Sequence, residues 1–207
     1  MSLIFNNKYL TLAESLDNAK YIYSFFKNLN WSDSCILGML GNMYRESTTN
    51  SGLGERGGTG YGLVQWTPKS KLLNRLQLAN TSDSLLGQCK VIKYESEHGL
   101  QMTSNQWNTF KNISNSDFAT EYFMNYYERP NKKYLFLDQR IAAKNYYMSN
   151  IELIDITNID TNDTTSNNDT NYDTPQNTIT NNKNPRTYTD MSKLLLYYGG
   201  IENEIKF

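Results

Sequence analysis

The first 50 residues place apolar side chains at the period of an α-helix. Thr11-Leu12-Ala13-Glu14 has the spacing of a capping box, and apolar residues follow at intervals of three or four as far as Phe26. Ser32 provides an N-cap for a second stripe. That stripe comprises Ile36, Met39, Leu40 and Met43. The pattern therefore predicts two amphipathic helices, the second starting at Ser32 or Asp33.

The chain then changes character before helical patterns return. Residues 51–62, SGLGERGGTGYG, are rich in glycine, and Pro68 ends the segment that follows them. Helical patterns resume at about 69–78, 83–97, 115–128 and 134–148. We therefore expect residues 1–150 to form a mostly helical α+β domain, with a Gly-rich loop or small β element after the second helix.

The last quarter of the chain has a different composition. Residues 151–187 are dominated by Asn, Thr and Asp, which cannot bury a core, so a disordered, solvated linker is predicted. Residues 188–207 regain apolar character around Gly199-Gly200 and fit a short β-hairpin or a short helix. Because an isolated hairpin is marginally stable, we expect this segment to dock on a partner or on the main domain, or to be the start of a larger unit.

Charge and hydropathy exclude several classes of protein. Residues 1–150 carry 16 Lys/Arg and 12 Asp/Glu, whereas residues 151–207 carry 4 and 9. This mild basic excess lacks the patch that nucleic-acid binding requires, although it suits an anionic polymer. No apolar run is long enough to cross a membrane, and the N-terminus lacks the pattern of a signal peptide, so delivery by another route is expected.

Cysteine and histidine chemistry has little support. Cys35 lies among apolar residues, and nothing around Cys89 resembles a nucleophile site, so a thiol protease built on Cys89 and His98 is disfavoured. A Cys35–Cys89 disulfide stays open. Too few Cys and His residues are present for a zinc site, and we expect neither a metal nor a cofactor.

Glu46 is the unusual residue of the second helix, because it shares the apolar face of Met39 and Met43. Burial there would raise the pKa of this carboxyl group and let it act as a general acid. The alternative is that Glu46 only ends the helix, beside Arg45 and solvent.

The Gly-rich stretch favours a ligand-binding loop. Glycines at 57, 58, 60 and 62 let the backbone approach a ligand closely, but the Lys-Ser/Thr of a phosphate-binding loop is missing. Tyr61, Gln65 and Trp66 offer two ring faces and an amide, as a sugar-binding groove requires.

The motifs "GMLGNMYRES" and "GYGLVQWTP" together resemble the tail lysozyme domain of phages that infect Gram-positive bacteria, and more distantly goose-type lysozymes and lytic transglycosylases. The resemblance covers residues from about 16 to 148, including "NAKYIYSFFKNLNWS" and "YFMNYYERP" followed by Arg140 and Ala143. It implies a lysozyme-like fold and cleavage of peptidoglycan.

The resemblance also implies roles for individual residues. Glu46 matches the catalytic acid, and Ser47 matches the residue that holds the turn bearing it. Tyr61, Gly62 and Gln65 match the segment that lines the cleft, and Trp66 stands beside them. The family usually has Asn-Pro after Glu-Ser, whereas this chain has Thr48-Thr49-Asn50-Ser51, so the geometry of this loop stays open.

The second carboxylate is less clear. Glu55 in the Gly-rich loop is our first candidate, although a solvated loop charge beside Arg56 is the alternative. For Glu95, Glu97 and Glu128 we expect structural ion pairs or caps.

The implied reaction cleaves the glycan between N-acetylmuramic acid and N-acetylglucosamine. A second carboxylate that positions water would give hydrolysis, and attack by the muramic 6-hydroxyl would give an anhydro end. We expect the protein to reside in the virion on a phage tail, bound to tail proteins through its C-terminal segment. A non-catalytic wall-binding or tail-assembly module is the alternative.

Overall fold

The computed structural model describes residues 1–154, and these residues are mostly helical, as the periodicity predicts. In the described part of the chain there are seven α-helices and two short helical turns of other types. The α-helices are α1 Leu16–Lys27, α2 Asp33–Ser47, α3 Lys69–Leu78, α4 Leu85–Glu97, α5 Ser104–Lys111, α6 Ser116–Phe123 and α7 Leu137–Asn150. A π-helical turn, Met124–Glu128, continues α6, and a 3₁₀ turn, Lys132–Tyr134, precedes α7. The predicted linker and C-terminal segment lie outside the described residues apart from residues 151–154.

Both of the predicted helix N-terminal motifs make their hydrogen bonds, but only one of them lies directly at the start of a helix. The Ser32 side chain accepts a hydrogen bond from the Cys35 amide and caps α2. Thr11 and Glu14 make the reciprocal bonds of a capping box, but they close a turn before α1, which starts at Leu16. Helix α5 was not predicted, although Thr103 and Gln106 form a capping box at its start. Its eight residues bury only Trp107 and Phe110, too few to produce a clear helical period.

Residues 51–68 form a loop with no regular strand. Two isolated antiparallel bridges, Gly54 with Tyr61 and Tyr61 with Trp66, fold the loop back on itself. Of the two alternatives predicted here, the Gly-rich loop is therefore correct.

Helix α2 is the central helix of the described domain, and it packs most extensively against α6 and α7. Two of its glycines permit this close packing. A Cβ atom at Gly38 would clash with Ala119 of α6, and one at Gly41 would clash with the carbonyl oxygen of Arg140 in α7. A glycine inside a helix costs about 1 kcal/mol relative to alanine. The close packing of α6 and α7 that these two glycines allow offsets this cost. It also brings Arg140 beside the last two turns of α2.

Candidate functional site

A cleft of about 420 Å³ opens at the C-terminal end of α2. It is lined by Tyr9, Arg45, Glu46, Glu55, Val64, Gln65, Trp66, Thr67, Lys71, Gln101, Tyr127, Glu128 and Pro130. The two carboxylates proposed from sequence, Glu46 and Glu55, thus line one cleft. Glu128, for which a structural role was expected, lines it as well.

Glu46 is held by a cation from a distant helix. Arg140 Nη2 donates to Glu46 Oε1 at 2.7 Å. The Arg140 side chain is 1% exposed, whereas that of Glu46 is 22% exposed, so the carboxylate reaches the cleft and its partner does not. Two further donors of Arg140 bind the Asn42 side chain at 2.9 Å and the Leu135 carbonyl at 2.9 Å. Because this guanidinium is fixed at three points, the Glu46 carboxylate bound to it has little freedom to rotate.

Asn42 completes the polar wall behind Glu46. The residue is fully buried one helical turn before Glu46, and its amide nitrogen donates to the carbonyls of Gly38 and Thr120 at 2.8 and 2.9 Å. Its oxygen accepts from Arg140. Because each of these buried polar groups has a partner, the network joins α2, α6 and α7 without an unsatisfied atom in Asn42.

Ser47 holds the turn that bears Glu46 rather than lining the cleft. It is fully buried, and its hydroxyl makes hydrogen bonds to the carbonyls of Met43 at 3.1 Å and Leu63 at 2.8 Å. The second contact ties the end of α2 to the Gly-rich loop. Ser47 can therefore influence a bound ligand only through the position of these two segments.

The turn after Ser47 is strained and is fixed by the N-terminal segment. Thr48 and Thr49 have left-handed φ angles of 54° and 55°, which are uncommon for β-branched residues. Thr48 Oγ1 accepts from the Leu10 amide at 2.9 Å, and the Asn50 side chain donates to the Lys8 carbonyl at 2.7 Å. Residues 1–10 thus hold the loop geometry that the departure from Asn-Pro left open.

Two of its own side chains, those of Glu55 and Gln65, make hydrogen bonds to the backbone of the Gly-rich loop. Glu55 Oε2 accepts from the Gly60 amide at 2.9 Å, and the Gln65 amide nitrogen donates to the carbonyls of Leu53 and Gly62, both at 3.0 Å. Glu55 therefore uses one carboxylate oxygen within the loop while its side chain lines the cleft. Gly62 has φ of 81° and packs tightly on Gln88, behind the cleft wall.

The two predicted aromatic surfaces lie in different places. Tyr61 lines a neighbouring open groove of about 570 Å³, and Lys69 Nζ lies 3.9 Å from the centre of its ring. Glu55 lines both the groove and the cleft. Trp66 lines the cleft but is only 2% exposed, and its indole nitrogen donates to Glu95 Oε1 at 3.3 Å.

Of the three glutamates for which a structural role was expected, two have one and the third lines the cleft. Glu95 is buried, accepts from the Tyr127 hydroxyl at 2.5 Å and lies 3.5 Å from Arg75 Nε, and Glu97 pairs with Lys93 at 2.6 Å. The expectation of ion pairs is confirmed for these two. Glu128 differs, because it lines the cleft and makes no ion pair within residues 1–154, and its Oε1 is buried without a hydrogen-bond partner.

Cysteine chemistry is absent from the cleft. Cys35 and Cys89 are free and fully buried, and burial raises the pKa of the Cys35 thiol to about 12 and raises that of Cys89 as well. His98 stacks on Tyr94 and its Nδ1 lies 2.8 Å from the Tyr94 carbonyl. A Cys89–His98 catalytic pair therefore has no support in the geometry.

Within residues 1–154, no group of three or more His, Cys, Asp and Glu side chains converges as a set of metal ligands. None of the helices in the same range is both long and apolar enough to cross a membrane.

No role was predicted for Arg140, although its position on the apolar face of α7 indicated one. Arg140, Ala143 and Tyr147 share one buried face of α7. An arginine on such a face needs a buried partner, so it could have been identified as one half of an ion pair. The pattern could not name Glu46 as the other half.

Comparisons with known proteins agree with this architecture. The family model for phage tail lysozyme matches residues 17–151. Over 134 residues the chain is 37% identical to Morphogenesis protein 1 of Bacillus phage B103. That match covers 60% of this chain and 37% of the relative. The chain belongs to the phage tail lysozyme family.

Proposed function

We propose that residues 1–150 form a peptidoglycan-degrading glycosidase that cleaves the glycan between N-acetylmuramic acid and N-acetylglucosamine. Membership of the phage tail lysozyme family supports a lysozyme-like wall hydrolase. The observation that carries the proposal is Glu46, which reaches the cleft while the buried Arg140 fixes its Oε1. A carboxyl group positioned in this way has the chemistry needed for glycoside cleavage.

In the proposed reaction Glu46 protonates the glycosidic oxygen as the bond to the anomeric carbon breaks. Arg140 binds Oε1, and no hydrogen bond within the described residues occupies Oε2, which is therefore our candidate for the oxygen that carries the proton. Arg140 is in this account a positioning residue. Asn42 in turn keeps the guanidinium in place.

The second step has two forms. Glu55 on the Gly-rich loop is our first candidate to position a water molecule on the far side of the sugar ring, which would give hydrolysis with inversion. Attack by the muramic 6-hydroxyl would instead give an anhydro end. Neither form requires a metal or an organic cofactor.

The remaining site residues have distinct proposed roles. Gln65 and Trp66 line the cleft and would contact the glycan, and Tyr61 would extend the surface into the neighbouring groove. Ser47 and Gly62 would act by positioning the cleft wall. We further propose that the protein is carried on a phage tail, with tail proteins bound through residues 188–207, and that it opens the host wall locally.

A second candidate function is a non-catalytic wall-binding or tail-assembly module. One observation favours it: the Glu46–Arg140 ion pair joins α2 to α7 and would stabilise the fold without any reaction. The relative in Bacillus phage B103 is named a morphogenesis protein, which is compatible with this role.

The experiment is digestion of purified Gram-positive peptidoglycan by the wild type and by Glu46→Gln, with released fragments identified by mass spectrometry. We expect Glu46→Gln to lower fragment release by about 100-fold or more while the circular dichroism spectrum stays unchanged. Glu97→Gln, which removes a carboxylate outside the cleft, is the matched control and should keep full activity. Reducing ends would indicate hydrolysis and 1,6-anhydro ends would indicate transglycosylation. Wall binding without release by the wild type would favour the assembly module.

A further inference from the structure

Glu128 is a carboxyl group of the cleft that the proposed reaction does not use. It closes the π-helical turn after α6, where the following residue, Arg129, takes a left-handed φ of 50°. This turn directs Tyr127 to the buried Glu95 and places Glu128 in the lining of the cleft that contains Glu46. π-helical turns are rare and often occur at functional sites, so the placement is worth explaining.

The surroundings of Glu46 and Glu128 favour opposite protonation states. Glu46 has a guanidinium 2.7 Å away, whereas Glu128 has no salt bridge in the described part of the chain and a buried Oε1 with no partner. An ionised carboxylate with an unpartnered buried oxygen is costly, whereas a neutral carboxyl group is much less so. The geometry therefore places negative charge on Glu46 and a proton on Glu128.

The charged groups around Glu128 act in the same direction. Burial raises the pKa of Glu128 well above its usual range, and the negative charge of Glu46 raises it further. Arg140 opposes this shift from α7 and Lys71 from α3, while Glu95 on α4 adds to it. Arg140 is already bound to Glu46 and Asn42, so it compensates Glu128 only in part.

We propose that Glu46 and Glu128 act as a carboxyl pair that holds one proton, and that Glu128 carries this proton in the free domain. The inference rests on the proposed glycosidase function. It resolves a difficulty of that function, because a carboxylate held by an arginine is a poor reservoir of protons. Two neighbouring carboxyl groups that share one proton are a known device for acid catalysis.

The proton balance of the reaction is compatible with the pair. In the reaction the proton passes from Glu128 to Glu46 Oε2 and from there to the glycosidic oxygen, which also receives the electron pair of the broken bond to the anomeric carbon. When the muramic 6-hydroxyl attacks, it bonds to that carbon and returns its proton to the pair. In the hydrolytic form Glu55, on the far side of the ring, accepts the proton of the incoming water, and exchange with solvent returns one proton to the pair. Each turnover therefore ends with the pair in its starting state.

The first test measures the titration of Glu128 in the absence of substrate. Carboxyl groups of Glu are labelled with ¹³C, and the chemical shift of Glu128 is followed against pH in the wild type and in Glu46→Gln. We expect Glu128 to titrate well above the ordinary glutamate range in the wild type and at a lower pH in Glu46→Gln, because the repelling charge is gone. An identical midpoint in the two proteins would overturn the pair.

The second test separates a proton source from a neutral structural group. Glu128→Gln keeps the shape and neutrality of a protonated carboxyl group but cannot release a proton. We expect it to lower peptidoglycan cleavage by about 100-fold, with Glu97→Gln as the unaffected control. Full activity in Glu128→Gln, with an unchanged pH profile, would overturn the proposal.

Failure of the glycosidase proposal and failure of the carboxyl pair would give different results. If the wild type releases no fragments but the midpoint of Glu128 still depends on Glu46, the pair stands and the glycosidase proposal fails. If the wild type is active and Glu46→Gln is not, while Glu128 titrates independently of Glu46, the glycosidase proposal stands and the pair fails.

Discussion

The two walls of the cleft are built in different ways. On one wall, Glu46 is fixed by side chains, because Arg140 and Asn42 join three helices in a buried network. On the other wall, Glu55 is fixed by backbone, because its carboxylate accepts from the Gly60 amide five residues further along the same loop.

The difference separates what each carboxylate does for the fold. Glu46 depends on a buried partner in α7, so its position is set by packing of the whole domain. Glu55 itself supports the turn that carries it, so its position depends on local hydrogen bonds. Changes to the first wall should therefore affect stability and activity together, whereas conservative changes to the second wall should affect activity alone.

The largest effect is expected from Arg140→Met. The substitution leaves Glu46 without its partner and the Asn42 oxygen without a donor, so we expect a loss of about 3–5 kcal/mol in the free energy of unfolding. Chemical denaturation measures the loss, and Lys132→Met on an exposed site is the matched control. A loss no larger than that of the control would show that the helical wall does not depend on this ion pair.

The next effect tests the loop wall. Glu55→Gln keeps an oxygen that can accept from the Gly60 amide, so we expect an unchanged melting temperature. If Glu55 positions the attacking water, the rate of fragment release should fall by about 100-fold. Retained activity would instead identify Glu55 as a residue that only supports the loop.

A smaller effect is expected where the two walls meet. Ser47→Ala removes the hydroxyl that donates to the Leu63 carbonyl and leaves that buried acceptor unsatisfied, at a cost of about 1–3 kcal/mol. For a domain of this size the melting temperature should fall by about 2–4 °C per kcal/mol. Ser34→Ala, which removes an exposed hydroxyl bonded to the Ser114 carbonyl, should change it little. Equal melting temperatures for the two variants would mean that Ser47 does not tie the walls together.

The smallest expected effect is a change in how the stability of the domain depends on pH. The folded-state pKa of Glu128 is raised by burial, so the folded state holds this proton more tightly than the unfolded state. The corresponding stability is fully present below the ordinary glutamate pKa and is lost as pH rises through the raised value. Glu128→Gln should therefore be more stable than the wild type at high pH, with a flatter dependence of melting temperature on pH. Parallel curves for the two proteins would contradict the raised pKa.

Local sequence patterns were sufficient to predict the central helix and the segment beside it. Ser32 and the apolar stripe predicted α2 and placed Glu46 on its inner face, because capping and helical period depend on residues a few positions apart. The density of glycine in residues 51–62 predicted a Gly-rich loop or a small β element, and the structure has the loop. Helix α5 was missed for the same reason, since its short sequence buries too few residues to show a period.

The sequence by itself thus determined most of the helices, the Gly-rich loop and the acidic residue at the end of α2. Only the tertiary structure placed Arg140 against Glu46, from 94 residues further along the chain, and set residues 1–10 against the turn after Ser47. It also showed that Glu128, for which an ion pair or a cap was expected, lines the cleft. The physical reason is range: helix formation is governed by neighbours in the chain, whereas the partner and charge state of a buried group depend on which distant segments pack around it.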